Sequence, residues 1–204
     1  RVTLELLAPA GGRDSLLAAI DNGADAVYLG YTAFGARAGA GNFNQQELAE
    51  AVRLCHLHHV RVHVTVNTLI KERELAEVYR VLGLVDASHA DAVILQDLGA
   101  AALARDCVPH IARHASTQMA IHNRQGAAFL KREGFRRAVL ARECSLSEIA
   151  LAAETGIETE VFVHGAMCVG MSGQCLLSSM AGGRSGNRGR CAQPCRMAYQ
   201  LCDE

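Results

Sequence analysis

No apolar run in these 204 residues is long enough to cross a membrane, and no signal or transit segment opens the chain. The expectation is a soluble, cytoplasmic protein without a membrane partner. Gly-x-Gly-x-x-Gly is missing after the first strand signal, where Gly11-Gly12 alone reads as a turn, so a dinucleotide-binding fold has little support. Neither a Gly-x-Ser-x-Gly elbow nor His-Glu-x-x-His occurs, which takes away the usual signs of a serine hydrolase or a zinc peptidase. Tryptophan is absent and aromatics make up 4%, yet half the residues are hydrophobic, a balance that suits a packed α/β core and excludes general disorder. Lysine is nearly absent too. Apart from Lys71 and Lys131 every basic residue other than histidine is arginine, the better group for bidentate recognition of phosphate or carboxylate.

What is present is a repeat. Short Val/Ile/Leu-rich runs at 4–8, 26–30, 60–66, 92–95, 111–115, 138–141 and 160–163 alternate with helical stretches such as 14–22, 45–56, 71–88, 123–132 and 147–154. Gly23, Gly134 and Gly156 stand where a left-handed helix C-cap is wanted, and Ser145 three residues before Glu148 predicts a capping box. Alternating strands and helices imply right-handed crossovers and a parallel sheet. Seven strand signals point to an α/β fold of the (β/α) TIM-like barrel type, incomplete by one strand, over residues 1–165. The first residue is Arg1 rather than Met. A longer parent protein, carrying the eighth strand beyond Glu204, is the expectation.

Barrel chemistry is built at the C-terminal strand ends, and there the sequence is polar. Arg37, Asn67, Gln96, Asp97, Thr117, Gln118 and Arg142 follow successive strands and are candidate substrate-binding residues. His114, Glu143 and His164 are the candidate catalytic groups. A strand-end Asn or Asp is also the usual helix cap, and a lone His is usually structural. Two arginines and two histidines on one rim favour a site, with Arg37 and Arg142 suited to a carboxylate or phosphate. His56, His58, His59 and His63 fall in a helix-to-strand connection and read as surface or structural.

Residues 166–204 have a different character. Cys168, Cys175, Cys191 and Cys195 form C-x6-C-x15-C-x3-C, no acidic residue lies between Glu160 and Asp203, and Arg184, Arg188, Arg190 and Arg196 fall within that stretch. Its glycines read as a loop. Arg184 and Arg188 join the candidate substrate-binding residues. Four thiolates repel one another, so a cation or cluster is the natural way to hold them together. An iron–sulfur cluster accepts irregular spacing, zinc prefers closer pairs, and free thiols or a redox disulfide need no metal. Cys202 is a reserve ligand, while Cys55, Cys107 and Cys144 read as small core residues.

The stretch Glu-Val-Phe-Val-His-Gly-Ala-Met-Cys-Val-Gly-Met-Ser-Gly-Gln-Cys over 160–175, followed by Ser178, resembles the signature of the collagenase-like peptidase family, whose catalytic type is unassigned. Residues 5–11, 23–28, 34–37, 64–67, 114–118, 140–143 and 183–189 extend the likeness along nearly the whole chain, and their details are most similar to the family's prephenate-dependent branch that hydroxylates a ribosomal RNA cytidine. Relatives hydroxylate tRNA uridines or ubiquinone precursors. The resemblance implies a barrel-like catalytic domain, a [4Fe–4S] cluster on Cys168, Cys175 and Cys191 with Cys195 as fourth ligand, an RNA or quinone substrate, and prephenate or a similar dicarboxylate. Zinc on the same cysteines is the alternative. Met171 departs from the signature, which carries Tyr there. A peptidase, as the family name states, is the alternative activity, with a Cys168/His164 pair its one thinkable nucleophile and base.

Overall fold

The computed structural model describes residues 4–37, 39–165 and 167–200. Seven strands, β1 (Leu7–Pro9), β2 (Ala26–Gly30), β3 (Arg61–Val66), β4 (Ala92–Leu95), β5 (Ala112–Ala115), β6 (Arg137–Val139) and β7 (Glu158–Glu160), pair in chain order, all parallel. Between them run α1 (Arg13–Asp21), α2 (Gln45–Leu57), α3 (Leu75–Ala87), α4 (Leu98–Cys107), α5 (Arg124–Arg132) and α6 (Leu146–Ala153). This is the incomplete (β/α) barrel that the repeat predicts.

Alternation along each strand splits its side chains between two faces. One face, with Val27, Leu29, Val62, Val64, Val66, Val93, Leu95, Ala138 and Leu140, joins the helices in a continuous apolar core. The other carries Tyr28, His63, Thr65, His114, Arg137 and Glu160 and lines the concave side. His63 on β3 and His114 on β5 meet across β4 with ring centroids 4.7 Å apart, which only a tightly curled sheet permits. Arg137 on β6 reaches Glu5, just ahead of β1, at 2.5 Å, so the two ends of the sheet approach one another at the N-terminal end of the barrel.

Local signals explain the helix starts. Asn44, Asp97, Asn123 and Ser145 each accept a backbone N–H in the first turn, and Glu47 and Glu148 complete capping boxes. Gly23, Gly134 and Gly156 take φ of 80°, 77° and 74°, the C-terminal role their positions predict.

Three local expectations are corrected. The last strand lies at 158–160 rather than 160–163, because Glu158 and Glu160 take the register that faces them to Arg137 and leave Val161, Phe162 and Val163 exposed. The segment read as a loop contains α7 (Leu177–Gly182), short and closed by Gly183 at φ 66°. Cys55 is buried, with its thiol pushed up to about 11 by desolvation, but Cys107 at the end of α4 is exposed and is no core residue. No helix among the described residues is long and apolar enough to cross a membrane.

Candidate functional site

Residues 171–191 span the C-terminal mouth of the barrel and are fastened at two rims. At the β5 and β6 rim, Glu143 accepts the Ser172 amide at 3.0 Å and the Ser172 hydroxyl at 2.7 Å, while the Arg142 amide donates to that hydroxyl at 3.3 Å. The Ser172 bonds hold the Glu143 carboxyl below its ordinary range. Ser172 takes φ 36°, a left-handed conformation that a residue with a Cβ adopts only under such restraint. Gln174 donates to the Gln118 carbonyl at 2.8 Å, and Gly173, at φ 86°, packs on the Gln118 side chain. At the β2 and β3 rim, Arg188 grips Glu74 through two bonds of 2.6 and 2.7 Å and also donates to the Leu69 carbonyl. That fork holds Glu74 down to about 2. Gly189, at φ 71°, lies so close to the β2–α2 connection that a Cβ would come within 2.6 Å of the Gly35 carbonyl.

Beneath this span the polar strand ends sort by role. The Asn67 side chain accepts the Ala36 amide at 2.9 Å and donates to Ser116 at 3.4 Å, tying the β2–α2 connection to β5. Arg37 stands over the Tyr28 ring at 6.0 Å, and burial raises the Tyr28 hydroxyl. Thr117 donates to the Leu140 carbonyl. Asp97 spends one carboxylate oxygen on the α4 N-terminus and the other on the Ile70 amide, so it serves as a cap. Gln96 is buried, and its side-chain oxygen has no partner among the described residues. Arg184 donates to the Arg190 carbonyl from an exposed position, and His164 sits in an exposed bend after β7.

His114 is not on the rim. It lies one alternation deeper than Ser116, edge-on to His63, with each residue only 2% exposed. Burial first, and the nearby Arg137 charge second, lower His63 to about 4, while burial and the facing His63 lower His114 to about 2. A base depressed in the fold binds fewer protons there than in the unfolded chain, so the pair adds stability above the ordinary histidine value, near 6.5, and withdraws it as pH falls below that. Both imidazole resonances are expected to stay flat from pH 8 to 5 by NMR; an inflection between pH 6 and 7 would contradict their burial as a neutral pair.

Below the histidines, Arg137 bonds Glu5, Glu158 and Glu160, and Arg61 also pairs with Glu5. The sequence marks none of Arg137, Glu5, Ser172 and Glu74 as site residues, and His63, read there as surface or structural, is buried and structural. His63 had a signal: Arg61, His63, Thr65 and Asn67 are polar at period two along an otherwise apolar strand. His56, by contrast, is the exposed surface residue expected, bonded to Asp91.

The four cysteines are free thiols on the span and its continuation. The Cys175 and Cys191 sulfurs accept backbone N–H groups from Leu177 at 3.4 Å and Gln193 at 3.3 Å, and Gly186 lies near the Cys175 carbonyl and the Cys191 side chain. Arg196 donates to the Met167 carbonyl, bringing the Cys195 and Cys168 segments together. Among the described residues no three Cys, His, Asp or Glu side chains form a ready ligand set. Cys202 lies outside the described residues.

A barrel whose polar mouth is crossed by a cysteine- and arginine-bearing strap defines the class of protein. The chain belongs to peptidase family U32, whose model matches residues 11–204. It is 44% identical to the 23S rRNA 5-hydroxycytidine C2501 synthase of Escherichia coli over 98% of this chain and 30% of that protein. With the tRNA hydroxylation protein P1 of Bacillus subtilis it shares 37% over 97% of this chain and 47% of the relative. The chain therefore spans half or less of either relative. Among solved structures, the U32 peptidase Mk0906 aligns with a TM-score of 0.64 at 13% identity, covering 78% of this chain and 67% of the other, which supports the fold.

Proposed function

We propose that this chain is the barrel and strap of an RNA-hydroxylating enzyme that uses a [4Fe–4S] cluster and prephenate, with a ribosomal RNA cytidine as substrate, acting in the cytoplasm. The observation that carries the reading is the 44% identity to a ribosomal RNA hydroxycytidine synthase along 98% of the chain, the strap included. The strap adds physical support, because its exposed Arg184 and Arg190 suit phosphate contacts in a stretch free of acids.

Cys168, Cys175, Cys191 and Cys195 would hold the cluster. They fit in donor type, since all four are free thiols, and the amides donated to Cys175 and Cys191 stabilise negative sulfur as ligation requires. When bound, the cluster would supply one-electron chemistry at the mouth. Arg37, above Tyr28, and Arg142, beside the Ser172 anchor, would hold the dicarboxylate through their guanidinium groups. Glu143, occupied by Ser172, positions the strap.

Anaerobic reconstitution of the chain with iron and sulfide tests the reading. A brown protein with bound iron and sulfide is expected, reduced severalfold or more in Cys175→Ala and Cys191→Ala. In the longer protein, hydroxycytidine formation on ribosomal RNA should depend on added prephenate. A colourless, iron-free chain, or one that takes zinc alone, would overturn the cluster.

A further inference from the structure

We infer that the cavity between the β2–α2 and β3–α3 connections is a nucleobase pocket that selects bases carrying an exocyclic amino group; this rests on the RNA reading above and gives the base its own place, beside the barrel axis. The cavity has a volume of about 210 Å³ and is lined by Tyr31, Phe34, Asn42, Thr68, Glu77 and the Glu74–Arg188 pair. Small-molecule sites start at about 300 Å³, so this space suits one planar ring system rather than a stretch of polynucleotide.

Two observations point to a ligand. Thr68 is only 3% exposed, and its hydroxyl has no partner among the described residues. A buried hydroxyl left unpaired costs free energy that a bound hydrogen-bonding group recovers. The charges give the sign. Arg188 is committed to Glu74 through its fork, so the lining keeps the Glu77 carboxylate as surplus negative charge. Such a lining repels phosphate and carboxylate and favours N–H donors. A dicarboxylate does not belong here. Tyr31 and Phe34 bring two aromatic side chains to the lining, the residue type on which bases stack.

The surroundings suit a nucleotide whose base enters while its phosphates stay outside. Arg184 and Arg190, both exposed, flank Arg188 in the same strap segment. Beside the cavity Asn42, at φ 48°, donates to the Arg37 and Ala40 carbonyls.

Cytidine and uridine differ at the group in question, since cytidine presents an amino group where uridine presents a carbonyl. Titration of each nucleoside into the chain, followed by NMR, is expected to shift Tyr31, Phe34 and Thr68 with cytidine and to do so more weakly with uridine. Thr68→Val, which puts a methyl group in place of the hydroxyl at nearly equal volume, should weaken cytidine about three- to tenfold. Glu77→Gln, at an exposed residue, should shrink the preference for cytidine over uridine. Equal binding of the two nucleosides, shifts located elsewhere, or no cytidine binding at millimolar concentration would overturn the pocket. Binding of a ribosomal RNA fragment, measured in parallel, separates the two proposals: RNA bound without any response of the cavity to cytidine refutes the pocket alone, and cytidine bound there without RNA binding refutes the RNA reading alone.

Discussion

Arg137→Met is expected to cost about 3–5 kcal/mol of folding stability at neutral pH, the range for removing one partner of a buried charge pair. Arg137 is 8% exposed and donates to three carboxylates, Glu5, Glu158 and Glu160, at 2.5 to 3.2 Å. Methionine fills similar volume, so the loss reads charge and not a cavity. The pH dependence identifies the mechanism. In the native protein burial pushes Glu5 and Glu158 up, but the arginine bonds and charges outweigh it and leave both lowered; Glu160, more deeply buried, stays raised. Carboxylates with lowered values stabilise the fold above their unfolded value, about 4.3, and lose that stabilisation on acidification. In the variant burial dominates, the folded values rise, and protonation then favours the fold. The deficit should therefore narrow as pH falls from 7 toward 4.5 in urea titrations. A constant deficit, or one under 1 kcal/mol, would remove Arg137 from its place as the hub joining β6 and β7 to the segment before β1. Arg137→Lys, which keeps the charge without the fork, should fall between the two.

The same hub shows where sequence reading reaches its limit. Period-two apolar runs and cap residues locate six of the strands to within a few residues, since burial on the helix-facing side leaves its mark in every strand. The seventh is displaced by two residues for a physical reason. Val161, Phe162 and Val163 are the most strand-like residues nearby, but pairing register there is set by charges, through Glu158 and Glu160 on Arg137. A long-range ion pair leaves no local pattern. The site divides likewise. Strand-end position finds Asn67, Arg37 and Arg142, but whether an end residue faces substrate or its own backbone depends on partners far along the chain. Asp97 binds Ile70 and Ala100, Glu143 binds Ser172, and Arg188 binds Glu74, 114 residues away. His114 looks like a rim residue in sequence and is a buried one because the β4–β5 register sets it beside Ile94, beneath the Ser116 layer.

Those distant partners make the strap separable from the barrel. Glu74→Ala with Glu143→Ala is expected to release it at both rims while leaving the barrel folded. Glu74 receives two bonds from Arg188 and Glu143 two from Ser172. Bonds to charged groups carry more than neutral ones, and partial exposure of both carboxylates discounts them, leaving about 3 kcal/mol for the pair of anchors. When local opening is fast relative to cleavage, the rate of proteolysis follows the open population. At about 1.4 kcal/mol per tenfold, trypsin should cut after Arg184, Arg188, Arg190 or Arg196 about a hundredfold faster in the double variant. The barrel keeps its apolar core and the Arg137 hub, so its thermal midpoint should move by no more than a few degrees. Single variants should each give about a tenfold effect if the rims act independently, and a larger combined effect if either anchor alone keeps the strap seated. Unchanged cleavage would mean that the strap is held by something other than its two rims. A collapse of the barrel midpoint would mean that strap and barrel form one cooperative unit, because contacts crossing the mouth would then be needed to hold the strands themselves.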